Sequence, residues 1–327
     1  MFVVSSILCN FAAMLKGFLH NASLSKRWLF LLLSVIFFVS IASLLNAVLL
    51  KYVFGISPLD NMTDTLINRY NAQYVRAMKF TQMISSIAFF IIPSLFFAWA
   101  VSRHPVKFLG LHVKSEWALY GLVILATLTS DQFIAYTGYL NDQMHLPGFL
   151  SDLEAWMRAK EKELNDIAEV LLTAYSPKDY LFNVFIMALI PAIGEELLFR
   201  GIVQRLLYKQ LHNIHWAIIL TAIIFSALHF QFLGFIPRFI FGVMFGYIYY
   251  FTKDLKTVIT AHFFNNFSVV TLHYFLPDKA DLEKFGKLSA DQPLWALFSF
   301  LCMTGLMYVI YRYSQNKNLE YEENNDI

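Results

Sequence analysis

Eight stretches of this chain are long and apolar enough to cross a bilayer: roughly 28–50, 78–101, 117–139, 180–199, 216–232, 236–251, 257–276 and 294–312. The hydrocarbon core is about 30 Å thick, so a spanning helix needs about 20 apolar residues. Runs of this length predict an all-α, polytopic membrane protein with about eight transmembrane helices, and the few ionisable residues inside them imply a polar intramembrane cavity. Composition agrees, because only 15% of the residues are charged and 58% are hydrophobic, against about 25% charged in soluble domains.

The net charge of +2 is too small for a nucleic-acid partner. Membrane lipid and a membrane-associated protein or peptide are the expected partners. Cys9 and Cys302 lie far apart with no CxxC spacing, which argues against a disulfide or a cysteine metal site. Residues 1–27 read as an interfacial helix, since Lys16 comes late and no cleavage site is evident. N-terminal spans and an amphipathic loop follow over 28–175, a core over 176–276, a loop and last span over 277–312, and a disordered polar tail over 313–327. Arg103, Lys107, Lys114, Arg205, Lys209, Lys253 and Lys256 fall on one side, which the positive-inside rule makes cytoplasmic together with both termini. Lys51, Arg69, Arg76 and Lys79 on the other side oppose this. The 140–179 segment contains a helical pattern with Trp156, Leu164, Ile167, Val170 and Leu171 on one face, suited to the membrane surface or the end of the bundle.

Ionisable groups inside the spans are few: Asp131, Glu195, Glu196, Arg200, His229, Arg238, His262 and His273. Each costs roughly 2.5–3.5 kcal/mol at the centre of a spanning helix on insertion scales. Helical neighbours four apart share a face, so Glu196 and Arg200 are placed to pair while Glu195 points about 100° away. Phe225 with His229, and His262 with Asn266, have the same spacing. Three helices bringing a Glu, a His and a His/Asn pair into hydrocarbon are expected to meet, because alone each would be costly. Counting 1.5 Å per residue puts Glu195 and His229 about 20 Å from the cytoplasmic ends of their helices, and His262 only about 8–10 Å from its own.

A carboxylate and imidazoles around a cavity suit water activation: Glu takes the proton, His holds the water, and an Asn amide or His donates to an oxyanion. Other proteolytic plans are missing. The sequence has no HExxH and no GxSxG, and Asp131 alone cannot form an aspartate dyad.

GEELLFRG, FSALH and HFFNN, in that order, resemble the EExxxR, FxxxH and HxxxN motifs of the CPBP family, also called Abi or type II CAAX prenyl proteases. The resemblance covers about 180–275, and Gly242 and Gly246 resemble the small-residue spacing between its second and third motifs. It implies an integral membrane endopeptidase, read as one of the bacterial inner membrane, with a cavity open toward the cytoplasm. Glu195 would activate water, Glu196 and Arg200 would support it, His229 would hold the water, and His262 with Asn266 would stabilise the oxyanion. Phe225 supports the second motif. The cofactor is none or zinc. Glu195, His229 and His262 could supply the three ligands of a catalytic zinc. One carboxylate would then be both ligand and base, and Glu196 could take over a role only by giving up Arg200. The balance favours metal-independent activation. The alternatives are a non-proteolytic scaffold or immunity protein of the same fold, and a transporter, which would be expected to show internal repeats.

Overall fold

The computed structural model describes residues 16–57, 71–276 and 291–323, the last eight of these as backbone only. Among the described residues there is no strand. Nine helices carry the fold: α1 Leu24–Tyr52, α2 Ala72–Val101, α3 Trp117–Asp142, α4 Ser151–Leu172, α5 Pro177–Leu211, α6 Ile214–Ala227, α7 Phe235–Thr252, α8 Leu255–Phe275 and α9 Pro293–Glu323. All but α4 lie on the eight apolar stretches, and six are long and apolar enough to span a membrane by length and composition. The chain is an integral, polytopic, all-α membrane protein. The exceptions among the eight are α6, which has 14 residues, and α8, which is long but interrupted by His262, Asn265 and Asn266. The helices that carry the second and third motifs are therefore the least membrane-like.

Helix α5 is the centre of the bundle. Residues 194–204 are buried without interruption, whereas a peripheral helix would bury one stripe. Helix α8 packs against α3, α5 and α7, and α7 packs against α6 and α9. The outer helices show lipid what a soluble protein would hide, with Leu29, Leu32, Ile36 and Phe37 of α1 all more than half exposed. Gly242 and Gly246 of α7 set the α6–α7 distance. A Cβ at Gly242 would lie 2.8 Å from the Ala222 Cβ and 3.0 Å from its Cα, and one at Gly246 would lie 2.7 Å from Ile218.

Tight turns hold one end of the bundle. His212 ends α5 in left-handed backbone and Asn213 caps α6 by accepting from the His215 and Trp216 amides. Lys253 and Asp254 repeat this construction between α7 and α8. The second turn is deep: Asp254 is fully buried, and Lys256 Nζ donates to the carbonyls of Leu111 (3.1 Å) and Val113. Helix α8 therefore starts inside the protein.

Three expectations are revised. Residues 16–22 form turns pinned to α2, through the amides of Gly17 and Leu19 donating to the carbonyls of Trp99 and Ala100. Residues 24–27 already belong to α1, so no interfacial helix spans 16–27; residues 1–15 lie outside the described ones. The tail stays helical to Glu323. It has no Gly or Pro and extends an existing helix, which avoids the nucleation cost. The stretch expected to run to 232 stops at Ala227.

Helix α4 is docked on the turn between α6 and α7. Glu161 accepts from the Leu233 amide (3.0 Å), Gln231 donates to Asn165 (2.7 Å), and Trp156 packs on Phe232 with centroids 5.5 Å apart. Val170 and Leu171 are buried while Lys162 faces out. A single cysteine at Leu164 is expected to react slowly with a soluble maleimide and one at Lys162 rapidly; equal rates would show that α4 has no docked face. Gly242→Val is expected to destabilise the protein by about 1–3 kcal/mol through overpacking, read as a lower melting temperature of purified protein.

Candidate active site

The glutamates sit on a segment of α5 bounded by two widened turns. Ser176 caps α5 by accepting from the Asp179 amide, with Pro177 in the first turn. A proline inside a helix removes one N–H and crowds the carbonyl four residues back. Ahead of Pro191 the helix opens into a π-turn over Val184–Leu189, closed by the Ile190 amide donating to Phe185. Pro93 of α2 is accommodated in the same way, with Ile87–Ile91 ahead of it. A third π-turn, Phe199–Val203, follows the glutamates without a proline. Such turns occur often at functional sites.

Glu196 and Arg200 are both fully buried, and Arg200 Nη1 donates to Glu196 Oε1 at 2.7 Å. Arg200 Nη2 donates to the Gly242 carbonyl at 2.9 Å. The guanidinium lies between the rings of Phe225 (5.1 Å) and Phe245 (5.6 Å). His262 Nδ1 is also 2.7 Å from Glu196 Oε1. Paired with Arg200, Glu196 is a carboxylate and can only accept, so the Nδ1 carries the proton. That orients the other nitrogen, Nε2, toward Glu195 Oε2 at 3.8 Å. Glu196 thus holds Arg200 and His262 at once, and serving His262 does not require releasing Arg200.

His229 lies beyond the end of α6, on a turn, and not on the helix face expected from its spacing to Phe225. The pair is kept by other means. His229 Nδ1 donates to the Phe225 carbonyl at 2.8 Å and the rings pack edge-on at 5.0 Å. A carbonyl only accepts, so the lone pair is on Nε2. Glu195 and Arg238 are the charged groups near enough to act on this ring. The turn is clamped by Ser226 Oγ donating to the Phe235 carbonyl (2.7 Å), by Asn141 bonding Phe232 and Ile236, and by Glu161 of α4. It passes through left-handed backbone at Phe230, φ 53°, uncommon for a bulky residue.

Asn266 lies one turn beyond His262 on α8, and its Oδ1 accepts from Asn265 Nδ2 at 3.0 Å, which leaves its own amide nitrogen for donation elsewhere. Arg238 holds Gln231 and lies near enough to Glu195 and His229 to act on both. Asp131, exposed on α3, and His273, which donates to Val269, do not join this cluster. Two participants were not singled out in the sequence. Phe245 stacks on His262 at 5.3 Å and 30°, and Gln204 Nε2 donates to the Gly246 carbonyl at 3.2 Å. Gly242, Phe245 and Gly246 are three and four apart on α7, so helical spacing from the glycines would have pointed to Phe245.

A catalytic zinc takes three protein ligands at about 2.0–2.2 Å. Glu195 and His262 face each other closely enough to supply two, but among the described residues no three of His, Cys, Asp and Glu are grouped to hold an ion. Glu195, His229 and His262 do not form a complete ligand set as they stand.

The fold and this cluster define a polytopic membrane protein with a carboxylate–imidazole centre buried among its helices. Residues 177–268 match the family model described as type II CAAX prenyl endopeptidase Rce1-like, which bears out the resemblance read from the three motifs. The matched segment runs from the start of α5 into α8 and contains every residue of the cluster. No curated protein and no solved structure matches the chain.

Removing one partner of a buried ion pair costs about 3–5 kcal/mol. Glu196→Gln is therefore expected to lower the melting temperature of purified protein strongly, and Glu195→Gln only slightly. Equal losses would contradict the division between a paired and an available glutamate.

Proposed function

We propose that the chain is an intramembrane endopeptidase in which Glu195 activates water to hydrolyse a peptide bond of a membrane-associated protein or peptide. The observation that carries this reading is the position of His262 between the two glutamates. Arg200 neutralises Glu196, Glu196 fixes the His262 ring, and Glu195 is left facing an imidazole lone pair at 3.8 Å. Glu195 takes a proton from water, and His262 Nε2 steadies the resulting carboxylic acid. His229 Nε2 accepts the water's second hydrogen and aligns its oxygen. The Asn266 amide donates to the oxyanion as the tetrahedral intermediate forms. Glu195 then returns its proton to the departing amine. Among the described residues no three donors are grouped to hold a metal, and the Glu196–His262–Glu195 arrangement supports water activation by Glu195 without one. The reading also draws on the endopeptidase named by the family match.

We assign the end bearing Arg103, Lys107, Arg205, Lys209, Lys253 and Lys256 to the cytoplasm, with both termini, in a bacterial inner membrane. The loops at that end are short and basic, as the positive-inside rule requires.

General-base removal typically costs 10²–10⁴-fold in rate. Comparing new peptide termini in cells with wild-type protein and with Glu195→Gln at equal membrane abundance is expected to show termini lost in the variant. An unchanged set would favour a non-proteolytic role. Once a substrate is in hand, activity is expected to survive a strong chelator; loss restored by stoichiometric zinc would overturn the metal-independent route.

A further inference from the structure

At the basic end, the segment between α2 and α3, the last turns of α5 and the α7–α8 turn enclose a cavity of about 630 Å³. That is within the roughly 300–1,000 Å³ of ligand sites. Lys107, Arg205 and Lys253 line it with His104 and His112, and no carboxylate does. None of the three cations has an ion-pair partner among the described residues. Asp254, next to Lys253, is fully buried and committed to Lys256 at 2.8 Å and to the Tyr120 hydroxyl at 3.2 Å. The cations are nevertheless held in place. Arg205 lies over the Phe108 ring at 4.8 Å and Lys253 over the Tyr250 ring at 4.1 Å. Burial, and after it the charge of Arg205, pull the Lys253 ammonium below its ordinary value.

The site opens where helices end, beside the exposed Tyr208, and aromatic residues of this kind mark the headgroup level. We infer that this cavity binds the phosphate group of an anionic phospholipid headgroup, of which phosphatidylglycerol is a simple example. Basic pockets between transmembrane helices suit such headgroups.

The test uses the full chain purified in neutral detergent. Melting is followed while phosphatidylglycerol, phosphatidylcholine or inorganic phosphate is titrated in, and affinity is taken from the concentration dependence. Binding is read without cleavage, so the outcome is independent of the protease reading. Phosphatidylglycerol is expected to raise the melting temperature and the other two to leave it unchanged. The double variant Arg205→Gln/Lys253→Gln is expected to keep its lipid-free melting point and to bind about thirtyfold more weakly. Should that variant not fold, Lys107→Gln, exposed on the short helix Pro105–Phe108, is expected to lose about fivefold. An equal response to phosphatidylcholine, or full phosphatidylglycerol affinity in the folded variants, would overturn the site. A variant-sensitive response to inorganic phosphate equal to that of the lipid would move the source of the phosphate to solution and overturn the lipid assignment.

Discussion

Glu196 carries negative charge into a position with no exposed surface, and much of the surrounding packing follows from the need to neutralise it. Arg200, one helical turn away, does so at 2.7 Å. A guanidinium in turn has five N–H donors to satisfy. One reaches the Gly242 carbonyl, which helps to hold α7 against α5, and the flat faces of the group are covered by Phe225 and Phe245. Those rings come from α6 and α7, and Phe245 also stacks on His262 of α8. Four helices therefore converge on one ion pair. Core and site are the same set of contacts, and the neighbouring Glu195 is left with its charge uncommitted.

The backbone of α5 serves the same end. The nine residues Ile190–Leu198 lie between two π-turns. Each such turn accommodates an extra residue, worth about 100° of rotation. The segment bearing the glutamates is thereby re-aimed relative to both ends of its own helix, toward α8. Pro191 accounts for the first turn; no residue of like chemistry accounts for the second.

Much of this was legible in the sequence. Apolar length placed the helices, and four-residue spacing predicted the Glu196–Arg200 pair, because both are local consequences of helix geometry. The bond between Glu196 and His262 was not legible. It joins residues 66 positions apart, and no periodicity reports such a distance. His229 was placed on a helix because apolar residues continue past Ala227, while the turn is held by Asn141 and Glu161 from elsewhere in the chain. The burial of the start of α8 was not legible either, because it depends on Lys256 bonding backbone carbonyls between α2 and α3. Errors of this kind arise where a long-range contact overrides a local rule.

The brevity of α6 has a consequence for the lipid around it. Fourteen residues make a rod about 21 Å long, while the hydrocarbon it meets is about 30 Å thick. Such hydrophobic mismatch is relieved when the bilayer thins or when protein takes the place of acyl chains. Helix α4, laid across the α6–α7 turn, supplies that protein. Glu161 satisfies the Leu233 amide of that turn, and Lys162 faces outward. Where α6 falls short of a full span, the turn that bears His229 is thus covered by α4 of the same chain.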